Sequence, residues 1–286
     1  MDSVETSTVV LRTIASKRPL VIAHRGFSGR APENTVPSFE LALAVGADLV
    51  ELDARLTRDE KLIVIHDHEL DRTTDAKRKW RRRHNRIDAR SFSEIKELDA
   101  GAWFSRKFTG TQIPLLTEAL ALIRKASIPL IEQKAGSVLV YLDFLRQHNL
   151  VNEVIVQSFD WDFLATLNRL EPALTLGALG PAHLLVGGRK PLGISRKLNA
   201  AWLKQLAKTG ARIAVWNRQV SKGGVRLAHE RGLKVWVYTI NEPRLAGRLL
   251  DIGVDGLITN EPIRIRTVVQ KVFPPTEVLE HPSSAA

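Results

Sequence analysis

The chain of 286 residues predicts an α/β fold in which eight parallel strands close into a barrel surrounded by helices. Two observations carry this. Short apolar runs alternate with amphipathic stretches along most of the chain, and strand–helix–strand repeated so often implies parallel pairing with crossover helices. The strand-like runs number eight, the count that closes a barrel. An open doubly wound sheet is the alternative architecture.

The strands are expected at 20–23, 49–53, 129–134, 154–158, 174–179, 212–216, 234–239 and 256–259. The intervening helices are expected at 36–45, 117–126, 138–147, 160–169, 200–209, 221–231 and 242–251. The first of these starts well, because Asn34 or Thr35 can cap it and Pro37 is tolerated in a first turn. One connection breaks the rhythm. Segments 49–57 and 62–66 are separated only by Arg58-Asp59-Glu60-Lys61, whereas a parallel crossover needs about a dozen residues. They should form an antiparallel hairpin that brings His66 roughly opposite Asp53, at the C-terminal mouth of the barrel.

Residues 1–19 form a lead-in and 20–270 one barrel domain. Residues 71–114 fit no repeat and are expected as an excursion over the mouth, with a short helix at 92–98. The stretch 271–286 is too poor in apolar residues to pack and reads as a loose tail.

Composition removes several chemistries. With no cysteine there is no disulfide, thiolate zinc site or cysteine nucleophile. No run approaches the ~20 apolar residues that span a bilayer, and the Met-Asp-Ser-Val-Glu-Thr-Ser start lacks a secretory pattern. A cytoplasmic enzyme is the expectation. The net charge of +11 and pI of about 10.1 favour anionic partners. Residues 77–86 alone contribute seven fixed positive charges and no acid.

The strand ends carry the candidate chemistry. Strand one ends in His24-Arg25-Gly26. Strand two carries Glu51 and Asp53, and the hairpin return ends in His66-Asp67. The third barrel strand carries Glu132 and Lys134. Residues two apart on a strand share a face, so three carboxylates, two histidines, an arginine and a lysine converge on one rim. Unpaired charges are costly to bury. Three convergent carboxylates are best reconciled by one divalent cation, and oxygen ligands suit Ca²⁺ or Mg²⁺. Such an ion polarises a phosphoryl oxygen, Arg25 and Lys134 can stabilise further negative charge, and two histidines can divide acid and base duties. Each element taken singly has a plain structural reading: His24 as a core histidine, Glu51 and Asp53 on a solvated edge, Glu132 and Lys134 as a rim ion pair.

At these residues the chain resembles the glycerophosphodiester phosphodiesterase family. The resemblance rests on Ile22-Ala23-His24-Arg25-Gly26, Ala31-Pro32-Glu33-Asn34-Thr35, Val50-Glu51-Leu52-Asp53, Val64-Ile65-His66-Asp67 and Leu70-Asp71-Arg72-Thr73-Thr74. It continues through Leu98-Asp99-Ala100-Gly101-Ala102-Trp103-Phe104, Ile113-Pro114-Leu115-Leu116-Thr117-Glu118, Ile131-Glu132-Gln133-Lys134, Val156-Gln157-Ser158-Phe159, Tyr238-Thr239-Ile240-Asn241 and residues 253–260. It implies a TIM-type (β/α)8 barrel that hydrolyses glycerophosphodiesters to glycerol 3-phosphate and an alcohol. Glu51, Asp53 and Glu132 are then the cation ligands, His24 and His66 the acid–base pair working through a cyclic phosphate, and Arg25 and Lys134 the phosphate holders. Glu33 is a candidate for orienting one of these groups.

The chain also departs from the family pattern. Gln133 replaces the usual apolar residue between Glu132 and Lys134, but should point away from the cation. Tyr238 replaces a family tryptophan, with Trp236 on the same face, so the two are expected to form the substrate-binding aromatic wall. The basic run stands where the family often has a short glycine-containing stretch. Three readings of it are open: a solvated loop, a contact for an anionic membrane or lipid head group with Trp80 as interfacial anchor, or a nucleic-acid contact, for which no recognised motif is present. Two further functional readings stand beside the main one: a lysophospholipase D-like phosphodiesterase acting on lysophospholipids, and a catalytically silent barrel that binds anionic surfaces. The oligomeric state is not readable.

Overall fold

The computed structural model describes residues 8–193 and 195–274. Eight parallel strands close into a TIM barrel: β1 (Leu20–Ala23), β2 (Leu49–Leu56), β4 (Ile128–Gln133), β5 (Ile155–Ser158), β6 (Thr175–Gly180), β7 (Ile213–Asn217), β8 (Lys234–Tyr238) and β9 (Gly256–Thr259). Closure comes from β1, which pairs in parallel with β9 through Leu20↔Gly256 to Ala23↔Thr259 and with β2 through Ile22↔Leu49. Helices lie between successive barrel strands, as the alternation predicts. The strands start and stop within a few residues of their expected limits.

The hairpin is present. The extra strand β3 (Leu62–Val64) runs antiparallel to the C-terminal end of β2, with Leu56↔Leu62 and Ala54↔Val64. The register differs by one residue from expectation. Thr57 N–H donates to Lys61 O (3.0 Å), so the turn takes five residues rather than four. Ile65 therefore lies opposite Asp53, donating its N–H to Asp53 O (2.9 Å), and His66 falls one step beyond.

Two apolar layers flank the barrel wall. Val21, Val50, Leu52, Ile131 and Val156 face outward onto the helices. Ile22, Leu49, Leu130, Ile155, Ile213, Val215, Trp236 and Ile258 fill the lower lumen. The lead-in closes that lower end: helix Val9–Ile14, capped by Thr8, buries Val10 and Ile14 against the lumen residues. The expected tail divides differently, since residues 271 and 272 complete the helix Pro262–Val272. Residues 275–286 and the Met1–Ser7 start lie outside the described residues.

The excursion has a small core of its own, built from Ile63, Ile65, Leu70, Ala76, Ile87, Ile95, Leu98, Ala100 and Ile113. The basic run begins as a helix, Ala76–Trp80. Trp80 is not an exposed anchor. Its ring packs on this core and lies under the Arg90 guanidinium, 4.2 Å from Cζ to centroid. No helix among the described residues is long and apolar enough to cross a membrane.

Candidate active site

The site stands at the C-terminal mouth, one turn of the pleat above the apolar lumen. Two residues beyond the end of β1, Arg25 lies in the left-handed region (φ 56°), followed by Gly26 at φ 77°. A Cβ on Gly26 would lie 2.5 Å from Ser38 Oγ, so only glycine lets the chain turn here. The turn points Arg25 N–H at Glu51 Oε2 (2.8 Å). It also brings the guanidinium onto Asp53 (3.2 Å) and Glu33 (2.8 Å).

Glu51 and Asp53 on β2 and Glu132 on β4 project into one buried spot, where ligand oxygens from all three lie within 4.8 Å of one another. Glu51 Oε1 and Asp53 Oδ1 are buried with no hydrogen-bond partner. Glu132 Oε1 meets only the Lys134 ammonium, which also lies 3.4 Å from Asp53 Oδ1. Burial together with the neighbouring Asp53 charge pushes the Glu132 carboxyl up to about 7. Burial, Asp53 and Glu132 push Glu51 up as well. Burial also opposes ionisation of Asp53, but Arg25, Lys134 and His66 outweigh it and hold this carboxyl below its usual range. Burial works against the Lys134 charge too, and the Glu132 and Asp53 carboxylates reverse the effect and raise it. Three buried carboxylate oxygens with one shared ammonium between two of them and no partner for the third fit a hard divalent cation.

Both histidines are oriented through Nδ1. His24 Nδ1 lies 2.7 Å from Asn260 Oδ1 and His66 Nδ1 2.6 Å from Asp67 Oδ1. An amide or carboxylate oxygen can only accept, so each Nδ1 carries the proton and each Nε2 is left for chemistry. Burial and the adjacent Arg25 charge push His24 down to about 4. Burial, with Arg25 and Lys134, lowers His66 too. Both rings are therefore neutral near pH 7.

These supports went unassigned in the sequence. Asn260 is held by Asn241, whose Oδ1 accepts from Asn260 N–H at 2.9 Å. Asp67 is gripped by Arg72 (2.6 Å), which also binds Glu33 (2.6 Å). Glu33 thus holds Arg25, a contact of the kind its nearness to the site along the chain suggested. Asn34 does not cap the helix that follows; Thr35 does. Asn34 instead donates to Asp53 Oδ2 (2.8 Å) and accepts the Asp53 N–H (3.2 Å). The available signal was position: each of these residues lies in a motif quoted above, next to a candidate site residue or in the loop beyond a strand end.

His24, Arg25, Glu51, His66, Glu132, Lys134 and Tyr238 line one cavity of about 230 Å³, with Phe159 as a second aromatic wall. Tyr238 is fixed by its hydroxyl, which donates to Gly180 O (2.8 Å), and meets Phe159 edge to face. Trp236 is not part of this wall. Two residues earlier on β8 is the same face but about 6–7 Å deeper, and the indole is fully buried among the lower lumen residues. Gln133 points away from the cation site, as expected: it accepts from Ser158 Oγ (2.7 Å) and donates to Gly136 O (3.2 Å).

Residues 24–264 match the glycerophosphoryl diester phosphodiesterase family. A glycerophosphodiester phosphodiesterase of Caldanaerobacter subterraneus subsp. tengcongensis is 32% identical over 89% of this chain and 99% of its own length. One from Bacillus subtilis is 31% identical over 87% of this chain and 86% of its own. Among solved structures, an Oleispira antarctica phosphodiesterase in complex with the product sn-glycerol-3-phosphate superposes with a TM-score of 0.76. It is 28% identical, over 88% of this chain and 97% of that one. The chain belongs to the glycerophosphoryl diester phosphodiesterase family, whose members are phosphoric diester hydrolases.

Proposed function

We propose that this protein hydrolyses glycerophosphodiesters to glycerol 3-phosphate and an alcohol, with one divalent cation, Ca²⁺ or Mg²⁺, held by Glu51, Asp53 and Glu132. The observation that carries the reading is the trio of buried carboxylates without sufficient positive partners, beside a cavity that two histidines also line, each held through Nδ1. When bound, the cation would offset negative charge on the phosphoryl oxygens.

The chain's own groups account for the rest. Arg25 and Lys134 line the cavity and add positive charge beside the phosphoryl group. Tyr238 and Phe159 offer apolar faces to the glycerol carbons. One histidine takes the proton of the glycerol 2-hydroxyl as that oxygen attacks phosphorus. The other, which takes up a proton on Nε2 as the anionic diester binds beside it and so enters the step as the imidazolium, gives that proton to the departing alcohol oxygen, leaving a cyclic glycerol phosphate. Water then opens the ring with the two roles exchanged, which restores both histidines. Asn260 and Asp67 hold the Nδ1 proton of each ring, so that Nε2 is the atom that gains and loses the exchanged proton. The product named for the Oleispira antarctica relative supports the same substrate class here.

The test is a panel of deacylated and lysophospholipid diesters assayed with Ca²⁺, Mg²⁺ and chelator. Reversible loss under chelation is expected, with His24→Ala and His66→Ala each reducing kcat by at least about a hundredfold while the melting temperature holds. Full turnover in either variant would remove the mechanism. A preference for lysophospholipids would move the reading to the lysophospholipase D-like activity.

A further inference from the structure

Beside the catalytic cavity lies a second, larger chamber of about 820 Å³. His66 lines both, so the two spaces meet at the proposed acid–base group. The chamber walls come from the end of β2 and from the loop and basic run that follow His66. They include Arg55, Arg72, Lys77 and Arg83, together with Asp67, Glu69 and Asp71.

The acids in this wall are already engaged. Asp67 is held by Arg72 and His66. Glu69 receives His84 Nδ1 at 3.0 Å. Asp71 accepts the backbone N–H of His84 (2.8 Å) and the amide of Asn85 (2.7 Å). The cations are not all engaged. Arg72 is spent on Asp67 and Glu33. Arg55 uses only Nε, donated to His66 O at 2.7 Å, and among the described residues its two terminal nitrogens have no hydrogen bond. Lys77 and Arg83 form no hydrogen bond or close ion pair among the described residues; Lys77 only adds to the positive field at Asp71. The chamber thus presents three underused cations at the door of the reaction centre.

We propose that this chamber is a subsite for an anionic group, phosphate or carboxylate, carried by the leaving alcohol, so that the enzyme prefers glycerophosphodiesters with a charged head group. The proposal rests on the phosphodiesterase reading of the adjoining cavity. A diester bound at the carboxylate trio sends one arm into each space. The 230 Å³ cavity, walled by Phe159, Leu179 and Tyr238, suits the compact glycerol arm. The other arm passes His66 into the chamber, which is therefore where the variable alcohol is read. Guanidinium groups bind phosphate and carboxylate in a planar, two-pronged way, and unspent ones at such a place favour an anion over a choline-like cation.

Two matched substrate pairs test this: glycerophosphoinositol 4-phosphate against glycerophosphoinositol, and glycerophosphoserine against glycerophosphoethanolamine. Within a pair the members differ by one phosphate or one carboxylate. At low salt we expect kcat/KM to favour the phosphorylated or carboxylated member by about tenfold or more, about 1.4 kcal/mol. The ratio should shrink as salt rises, and fall towards one in Lys77→Ala/Arg83→Ala and in the charge-reversed Arg83→Glu. A gain confined to one pair assigns the anion as phosphate or carboxylate. Ratios near one in the wild type, or ratios the variants leave intact, overturn the proposal. Titration calorimetry with inositol 4-phosphate and with inositol decides the same question without turnover. Tighter binding of the phosphate form that weakens in Arg83→Glu supports the chamber, and equal binding overturns it. Absence of hydrolysis on every diester would sink the phosphodiesterase reading alone.

Discussion

The two ends of the barrel lumen are built by the same strands and differ by a single step of two residues. On β1, Ile22 below gives way to His24 above. On β2, Leu49 is followed by Glu51 and Asp53; on β4, Leu130 by Glu132 and Lys134; on β5, Ile155 by Gln157; on β8, Trp236 by Tyr238. The lower step is closed by the lead-in helix and filled with branched and aromatic side chains. The upper step concentrates charge that the protein's own groups only partly neutralise. The lower layer supplies the free energy of burial, and the rigid wall it creates is what can hold three like charges within a few ångströms. Stability and chemistry should therefore separate cleanly across that one step.

The largest break is expected from Glu51→Gln. Burial and two neighbouring carboxylates push Glu51 towards its neutral form when no cation is bound, so the amide imitates the chelated state closely. Activity should fall by about a thousandfold or more, roughly 4 kcal/mol of transition-state stabilisation. The melting temperature of the chelated protein should barely move, while the rise that Ca²⁺ or Mg²⁺ gives the wild type should vanish. A variant that keeps the cation-induced rise would detach Glu51 from the cation site.

Trp236→Ala is the mirror experiment. The indole fills the lumen where Gly256 leaves room for it; a Cβ there would approach Trp236 Cδ1 to 2.6 Å. Truncation should cost about 3–5 kcal/mol, a drop on the order of 10 °C, with kcat/KM per folded molecule within a few-fold of wild type. Intact melting with a specific loss of substrate affinity would return Trp236 to the aromatic wall.

That residue also marks how far the sequence can be read. Strand alternation placed His24, Glu51, Asp53 and Glu132 on the lumen side correctly, because face is set by a period of two. Depth is not. Trp236 and Tyr238 share a face, yet the height of the water boundary depends on how the strands stagger around the barrel. The hairpin shows the same limit. Its existence followed from a connection too short for a crossover, but the fifth turn residue, and with it the one-step displacement of His66, depends on how Thr57 and Lys61 close the loop. The partners Asn260 and Asp67 were present in recognisable motifs; their roles required contacts spanning up to 236 residues. The chamber beside His66 was least legible, since charge count in residues 77–86 does not say which cations are already paired.

The smallest of these effects is a stability profile that sharpens the contrast by pH. The folded-state Glu132 carboxyl stands at about 7 against 4.5 for the ordinary group, through burial and the Asp53 charge. Between these values the folded chelated protein holds a proton that the unfolded chain has released, so stability falls as pH rises through this window. Two and a half units bound the loss at about 3 kcal/mol. Glu51, shifted in the same direction, adds to the fall. Asp53, held below its usual range, contributes the opposite slope only at pH below about 4. The lower lumen, with no titrating side chain, contributes no slope at all. His24, pushed down to about 4, and His66, lowered too, give the opposite slope below about pH 6.5, so the carboxyl contribution is read as wild type minus Glu132→Gln, a difference that should fall from pH 5 to pH 7.5. Added Ca²⁺ or Mg²⁺ should recover more at the higher pH, because the ion competes there with fewer protons. A wild-type-minus-Glu132→Gln difference that stays level across this range would place the titrating group elsewhere.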